Sequence, residues 1–172
     1  MHSRLATNSL STSPAARAVR SWRGGSIVPG RGTLDLRVGH PVTVVESILG
    51  TPDEKHFLAG HLFYIYRSQG IDVDFGASRK RVERLFFYEA DVEGHSRRAP
   101  VNIDGIGFRT PKTKVIEALG KPDCQGGPVR VAKRKKTWIY YASGLEFDFD
   151  SQDRVMIISV CDPKLNQLSK RC

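Results

Sequence analysis

Few residues in this sequence have the types and spacing that catalysis or metal binding requires. Asp72 and Asp74 lie two apart and could imitate a pair of catalytic carboxylates, but alternating acids are also common on the wet side of a strand. His56 and His61 lie five apart across a glycine-containing turn, which is not metal-ligand spacing, and His95 stands alone. The sequence contains neither a glycine-rich phosphate loop nor a nucleophile elbow. It therefore predicts no catalytic residues, no metal site and no cofactor, and we expect the protein not to be an enzyme.

The number and spacing of the cysteines indicate whether the protein is expected in a reducing or an oxidising compartment. Cys124, Cys161 and Cys172 are odd in number and lack a CxxC spacing, which argues against a disulfide framework or a zinc site. A single bridge between Cys124 and Cys161 is one alternative, and a reducing compartment is the simpler one. The expected location is the cytoplasm, or an organellar matrix if the amino-terminal segment is a transit peptide.

Positive charge is concentrated near the amino terminus. The chain has 27 Lys and Arg against 18 Asp and Glu, a formal net charge of +9, and residues 1–32 carry five arginines and no carboxylate. Residues 1–33 are also rich in Ser, Ala and Gly and show no periodicity. We predict a disordered basic arm there, either a plain flexible arm or a transit peptide. No segment has the length and apolarity of a membrane span.

The sequence repeats itself. Residues 41–53 return as residues 111–123, and residues 64–75 return in the same order as residues 138–149. Two like units built in one order predict a tandem repeat. The predicted parts are a basic arm (1–33), repeat unit one (34–90), a linker (91–101), repeat unit two (102–163) and a polar end (164–172).

Each unit combines a short helix with period-two strands. Val45, Ile48 and Leu49 form an apolar helical stripe, which recurs in the second unit. Ile71 and Val73 alternate with acids along a strand, and the second unit repeats this alternation too. We predict an α+β protein of two tandem helix-plus-antiparallel-hairpin repeats, with one continuous antiparallel sheet and the helices on one face. Separate domains remain the alternative.

These motifs resemble the repeat of the beta-lactamase inhibitor protein fold, which the small outer-membrane assembly lipoproteins share in single-copy form. The motif is a helix closed by Leu-Gly-x-Pro, an aromatic-x-aromatic strand and a Gly-x-acid-apolar-acid-Phe strand, and it covers most of residues 34–162. The resemblance implies a non-enzymatic protein that binds other proteins through its open sheet face. The residues that carry it are Thr43, Val45, Leu49, Gly50, Pro52, Tyr64, Tyr66, Gly70 and Phe75, and then Thr113, Val115, Leu119, Gly120, Pro122, Trp138, Tyr140, Gly144 and Phe149.

The open sheet face is the predicted binding surface, with a protein as the partner. Alternation along the strands places the acids on this face, whereas the face on which the aromatics lie depends on the length of the hairpin loop. A three-residue loop would place Tyr66 opposite Asp72 in solvent, and a two-residue loop would send the aromatics into the core. On the solvent alternative, Trp138→Ala would abolish binding with little loss of stability. The candidate binding residues are Tyr64, Tyr66, Asp72, Asp74, Trp138, Tyr140, Glu146 and Asp148.

Nucleic-acid binding through basic loops and the arm is the alternative function. Aromatics on a sheet are typical of RNA-binding platforms, but four carboxylates on the same face would repel phosphate. The sequence predicts no oligomeric state. The candidate nucleic-acid contacts are Arg79, Lys80, Arg81, Arg97, Arg98, Arg134, Lys135 and Lys136.

Overall fold

The computed structural model describes residues 22–126 and 137–167, and within these ranges the chain forms three short helices and ten strands. None of these helices is long and apolar enough to cross a membrane. The helices are α1 (Val42–Leu49), α2 (Lys112–Leu119) and α3 (Pro163–Gln167). The strands are β1 (Gly25–Ser26), β2 (Glu54–Leu58), β3 (His61–Tyr66), β4 (Ile71–Asp74), β5 (Arg84–Tyr88), β6 (Val101–Asn102), β7 (Cys124–Gln125), β8 (Thr137–Tyr140), β9 (Leu145–Phe149) and β10 (Val155–Cys161).

Eight strands form one antiparallel sheet in the order β2-β3-β4-β5-β10-β9-β8-β7. The two halves of the chain meet at its centre, where β5 pairs with β10. In the first half α1 precedes four strands, and in the second half α2 precedes four strands. β1 and β6 form a separate two-stranded parallel sheet. The predicted antiparallel sheet is therefore confirmed.

The predicted fold class, an α+β protein of two helix-plus-hairpin repeats, is wrong. Strand dominates the described residues, and each half supplies four strands to the sheet, not a hairpin. The clearest omission is β2, which begins with the polar residues Glu54, Lys55 and His56. An edge strand can be polar because its backbone hydrogen bonds to β3 hold it in place without apolar alternation.

The duplicated residues make matching contacts in the core. The ring of Tyr64 meets Phe75 edge-on at a centroid distance of 4.9 Å, and Trp138 meets Phe149 edge-on at 4.8 Å. These rings share one core cluster with Val45 of α1 and Val115 of α2, which are fully buried. Both short helices are thus held by packing on the same side of the sheet, as helices of two turns must be.

Part of the segment predicted as a disordered arm is ordered. Ile27 and Thr33 are buried, and the ring of Trp22 stacks on Phe87 at a centroid distance of 6.0 Å. The backbone N–H of Gly25 also donates to the Pro100 carbonyl over 3.0 Å. Composition gave no sign of this order, because the pairing uses backbone groups that every sequence carries. Residues 1–21 lie outside the described ranges.

The turn between β2 and β3 is strained at one residue. Ala59 and Gly60 link the paired residues Leu58 and His61, with φ values of 50° and 88°. Two positive φ values in a two-residue loop define a type I′ turn, in which asparagine is far better tolerated than alanine at the first position. We expect Ala59→Asn to raise the free energy of unfolding by about 0.5–1 kcal/mol.

Urea denaturation checks this expectation, with Ala142→Asn as the matched control. Ala142 is also exposed in a loop, but its φ is not positive. An equal gain from both substitutions, or no gain from Ala59→Asn, would contradict the strain at Ala59.

Candidate functional site

The four predicted acids share one face of the sheet, opposite the helices. Asp72 on β4 lies opposite Phe86 on β5, which in turn lies opposite Ser159 on β10. Ser159 lies opposite Glu146 on β9, so Asp72 and Glu146 stand in the same row across the sheet. Asp148 lies two residues beyond Glu146 on β9, and Asp74 two residues beyond Asp72 on β4, so alternation keeps all four on this side. The sequence predicted this arrangement of the acids.

The acids are not an open charged surface, because each carboxylate contacts a partner within the chain. Asp74 accepts from the backbone N–H of Gly76 over 2.7 Å and lies 3.0 Å from His61 Nδ1. Glu146 accepts from Arg84 Nη1 over 3.1 Å, and Asp148 accepts from the hydroxyl of Thr137. Asp74, Glu146 and Asp148 are also buried. Their hydrogen bonds tie neighbouring strands together and leave little charge exposed to a ligand.

Asp72 belongs to a buried polar cluster that the sequence did not reveal. Its two carboxylate oxygens lie 2.9 Å from His95 Nε2 and 2.9 Å from the hydroxyl of Tyr88. The His95 ring stacks on Tyr88 at 3.9 Å, and its Nδ1 lies 3.1 Å from the Val92 carbonyl. His95 is 1% exposed. The cluster fixes the 89–98 segment against the sheet, and at this burial it is closed to a substrate.

The four predicted aromatics do not lie on the acidic face. Tyr66 pairs with Ile71 and Tyr140 with Leu145, so both hairpin loops contain four residues, neither of the lengths weighed from sequence. That register turns the aromatics into the core. The hydroxyls of Tyr66 and Tyr140 there donate to the carbonyls of Gly50 and Gly120 over 3.2 and 3.0 Å. Burial raises the pKa of both hydroxyls. The solvent alternative is wrong for Tyr64, Tyr66, Trp138 and Tyr140, which are all buried.

A different set of side chains is accessible on the acidic face. We call His61, Phe63, Arg84 and Phe86 the sheet-face strip. All four are half-buried. Phe63 lies 6.2 Å from His61 and 6.5 Å from Phe86 between ring centroids, and the Arg84 guanidinium lies 5.8 Å from the Phe86 ring. The signal for Phe63 was in the sequence: once Tyr64 and Tyr66 face the core, alternation places it outside.

The described basic residues do not form one surface. Arg98 Nε donates to Glu89 over 2.7 Å, and Arg81 donates to the Gly39 carbonyl over 2.9 Å. Although burial acts to raise the pKa of Glu89, the hydrogen bonds and the charge of Arg98 lower it overall. Arg79 stacks on the ring of Phe57, while Lys80 and Arg97 are exposed in separate loops. Arg134, Lys135 and Lys136 lie outside the described residues.

The cysteines have different states. Cys161 is a free, buried thiol at the end of β10, and burial raises its pKa, which disfavours the reactive thiolate. Cys124 is disulfide-bonded, whereas Cys161 is free. A bridge between Cys124 and Cys161 is therefore excluded, and the prediction of reduced cysteines is wrong for Cys124. Sequence spacing alone does not show which thiols approach each other.

Among known proteins, no family model matches the chain and no curated protein matches it. Three chains of solved structures are similar to it, and two of them are the following. One is a cysteine-rich secretory protein from Staphylococcus aureus subsp. aureus Mu50, 12% identical, with a TM-score of 0.49; the match covers 74% of this chain and 45% of that chain. The other is an extracellular protein containing an SCP domain from Bacillus anthracis str. Ames, 12% identical, with a TM-score of 0.45; this match covers 78% of this chain and 46% of that chain. The chain thus spans less than half the length of either protein.

The predicted resemblance to the beta-lactamase inhibitor protein fold is wrong. No family model matches the chain, and each half supplies four strands to the sheet, not a helix with one hairpin. The motif that suggested the resemblance is degenerate. Glycine and proline after a short helix, and acids alternating with apolar residues along a strand, suit many small sheets that pack against helices.

Proposed function

We propose that this chain is a non-catalytic module that binds another protein through the sheet-face strip. The observation that carries the proposal is the half-exposure of Phe63 and Phe86 on the sheet, beside Arg84. Aromatic rings and arginine are the side chains most enriched at the centres of protein interfaces.

The strip is set on a rigid support. Phe63 and Phe86 lie on β3 and β5 and flank β4, so regular backbone pairing fixes the spacing of their rings. Behind them, Val73 and Leu85 are fully buried in the core. A surface held in this way loses little conformational entropy on binding, which favours affinity.

The charges beside the rings define the chemistry of the partner. Arg84 is already paired with Glu146, and His61 with Asp74. A partner that covers the strip must therefore offer an apolar centre and few charges, since Arg84 and His61 keep their partners within the chain and an added unpaired charge would weaken the complex. A phosphate backbone offers negative charge and no apolar centre, which favours a protein over a nucleic acid.

Site-specific photocrosslinking of the full-length chain tests the proposal. A photoreactive phenylalanine analogue at position 86 should capture a discrete protein in salt high enough to screen surface charge, because an apolar contact survives screening. The matched control carries the analogue at Ile116, an exposed apolar residue on α2. Phe63→Ser, introduced beside the position-86 probe, should reduce the captured protein about tenfold or more.

The same capture pattern from positions 86 and 116 would overturn the proposal. So would a Phe63→Ser variant that captures as much protein as the parent. Recovery of nucleic acid alone, lost as salt rises, would favour the basic loops and the amino-terminal arm instead.

A further inference from the structure

Within the described residues, two large apolar side chains that are adjacent in sequence are both strongly exposed at the end of β2. Phe57 is 65% exposed and Leu58 is 67% exposed, and they are the last two residues before the Ala59–Gly60 turn. Ala59 and Gly60 are both exposed, and a Cβ atom at Gly60 would meet no atom within 4 Å. We call residues 57–60 the hairpin tip. It lies at the edge of the sheet, because β2 is the outermost strand.

A basic loop adjoins the hairpin tip. The loop from Gly76 to Arg81 follows β4 and lies beside the start of β3, where Leu62 donates its N–H to the Gly76 carbonyl. It carries three consecutive exposed cations and no carboxylate: Arg79, Lys80 and Arg81. The guanidinium of Arg79 lies 5.0 Å from the centroid of the Phe57 ring. Phe57 and the Arg79 guanidinium therefore form one surface, with Lys80 next to Arg79 in the chain.

From this arrangement we propose that the hairpin tip inserts shallowly into an anionic lipid surface, with the Arg79–Arg81 cations among the headgroups. The proposal is independent of the sheet-face strip. Apolar side chains at the acyl boundary with lysine and arginine at the headgroup level are the combination that holds peripheral proteins on anionic membranes.

The direction in which the two apolar side chains point favours lipid over a protein partner. Successive residues of a strand project to opposite faces, so Phe57 and Leu58 lie on opposite sides of the hairpin. A flat protein surface would cover only one of them, whereas end-on insertion into a lipid layer covers both. The pairing of β2 with β3 satisfies the inner backbone groups, but the outer edge of β2 needs water, which limits insertion to the interface.

Vesicle co-sedimentation of the full-length chain tests the proposal. The chain should bind phosphatidylcholine vesicles that contain about one third phosphatidylserine more tightly than vesicles of phosphatidylcholine alone. A Phe57→Ser, Leu58→Ser double variant should bind the anionic vesicles at least about tenfold more weakly. Leu34→Ser is the matched control, because Leu34 is 75% exposed outside the hairpin tip, and its binding should match the parent.

Two further variants separate insertion from attraction through charge. Phe57→Trp should show a blue-shifted emission on anionic vesicles, which reports entry of the ring into the acyl boundary. Arg79→Gln with Lys80→Gln should weaken binding to anionic vesicles while leaving the thermal unfolding midpoint unchanged, since both side chains are exposed.

The proposal fails if the parent chain does not bind the anionic vesicles. It also fails if the Phe57→Ser, Leu58→Ser variant binds them as the parent does, because the cations of residues 1–32 would then explain the binding. A third outcome would assign the hairpin tip to a protein partner. In it, the parent chain does not bind vesicles, and the Phe57→Ser, Leu58→Ser variant no longer captures the protein that the parent captures by photocrosslinking.

Discussion

Replacing Trp138 with alanine should lower the free energy of unfolding by about 3–5 kcal/mol, the range found when a large aromatic side chain is removed from a packed core. Trp138 is 4% exposed. Its ring meets Phe149 edge-on at 4.8 Å, and the Lys112 ammonium lies 4.7 Å from the ring centroid. The substitution leaves a cavity between β8, β9 and α2 that these neighbours can fill only in part. Urea denaturation followed by circular dichroism measures the loss.

Phe57→Ala is the control for this experiment. Phe57 is also an aromatic residue on a strand, but it is 65% exposed, so its removal should change the free energy of unfolding by less than about 0.5 kcal/mol. Similar losses from the two variants would contradict the buried position of Trp138. A small loss from Trp138→Ala together with loss of partner binding would restore the solvent alternative for the aromatics.

The register of the hairpins explains why the sequence could not decide this point. Alternation predicted that Asp72 and Asp74 share a face, and they do. The face of Tyr64 and Tyr66 depends on the loop that joins them to β4, and a change of one residue in its length inverts every side chain. The four-residue loop at 67–70 ends at Gly70, where φ is 70°. The glycine was visible in the sequence, but the loop length was not.

The accessible side chains of the site were predictable only in part. Phe63 and Phe86 follow from alternation once the core face is known, because each lies between two buried residues of its strand. Their position beside each other does not follow, since it depends on the order of β3, β4 and β5 in the sheet. The same limit applies to Arg84 and Glu146, which are 62 residues apart in sequence. Pairing over such a separation is a property of the topology.

The acids show most clearly how sequence and structure differ. Acids at every second position of a strand suggest a solvated surface. Here, however, the carboxylates accept hydrogen bonds from donors within the chain. A buried carboxylate needs such partners, because an unpaired one would be too costly to desolvate. The partners come from distant segments, such as the linker residue His95, whose role the sequence did not suggest. The acidic residues therefore act mainly in stability, and the accessible surface belongs to the aromatics beside them.

Asp72→Ala should accordingly be one of the most damaging substitutions on this face, with a loss of about 2–3 kcal/mol in the free energy of unfolding, because it removes an acceptor that two buried groups share. Asp72 is the acceptor that both His95 Nε2 and the Tyr88 hydroxyl face at 2.9 Å. Val92 offers its carbonyl to His95 Nδ1, and Asp72 is the acceptor that the other ring nitrogen faces. Removing the carboxylate takes this acceptor away from a ring that is 1% exposed, where water cannot easily replace it.

A double-mutant cycle of Asp72→Ala and His95→Ala isolates this interaction, with Asp35→Ala as the control because Asp35 is exposed. Urea denaturation should give a coupling energy of about 1–3 kcal/mol, since the two residues contact each other, and Asp35→Ala should cost less than about 0.5 kcal/mol. Additive losses from the two single variants would show that Asp72 and His95 act independently. A loss from Asp72→Ala no larger than that from Asp35→Ala would show that the acidic face is solvated after all, and the carboxylates would again be candidates for binding.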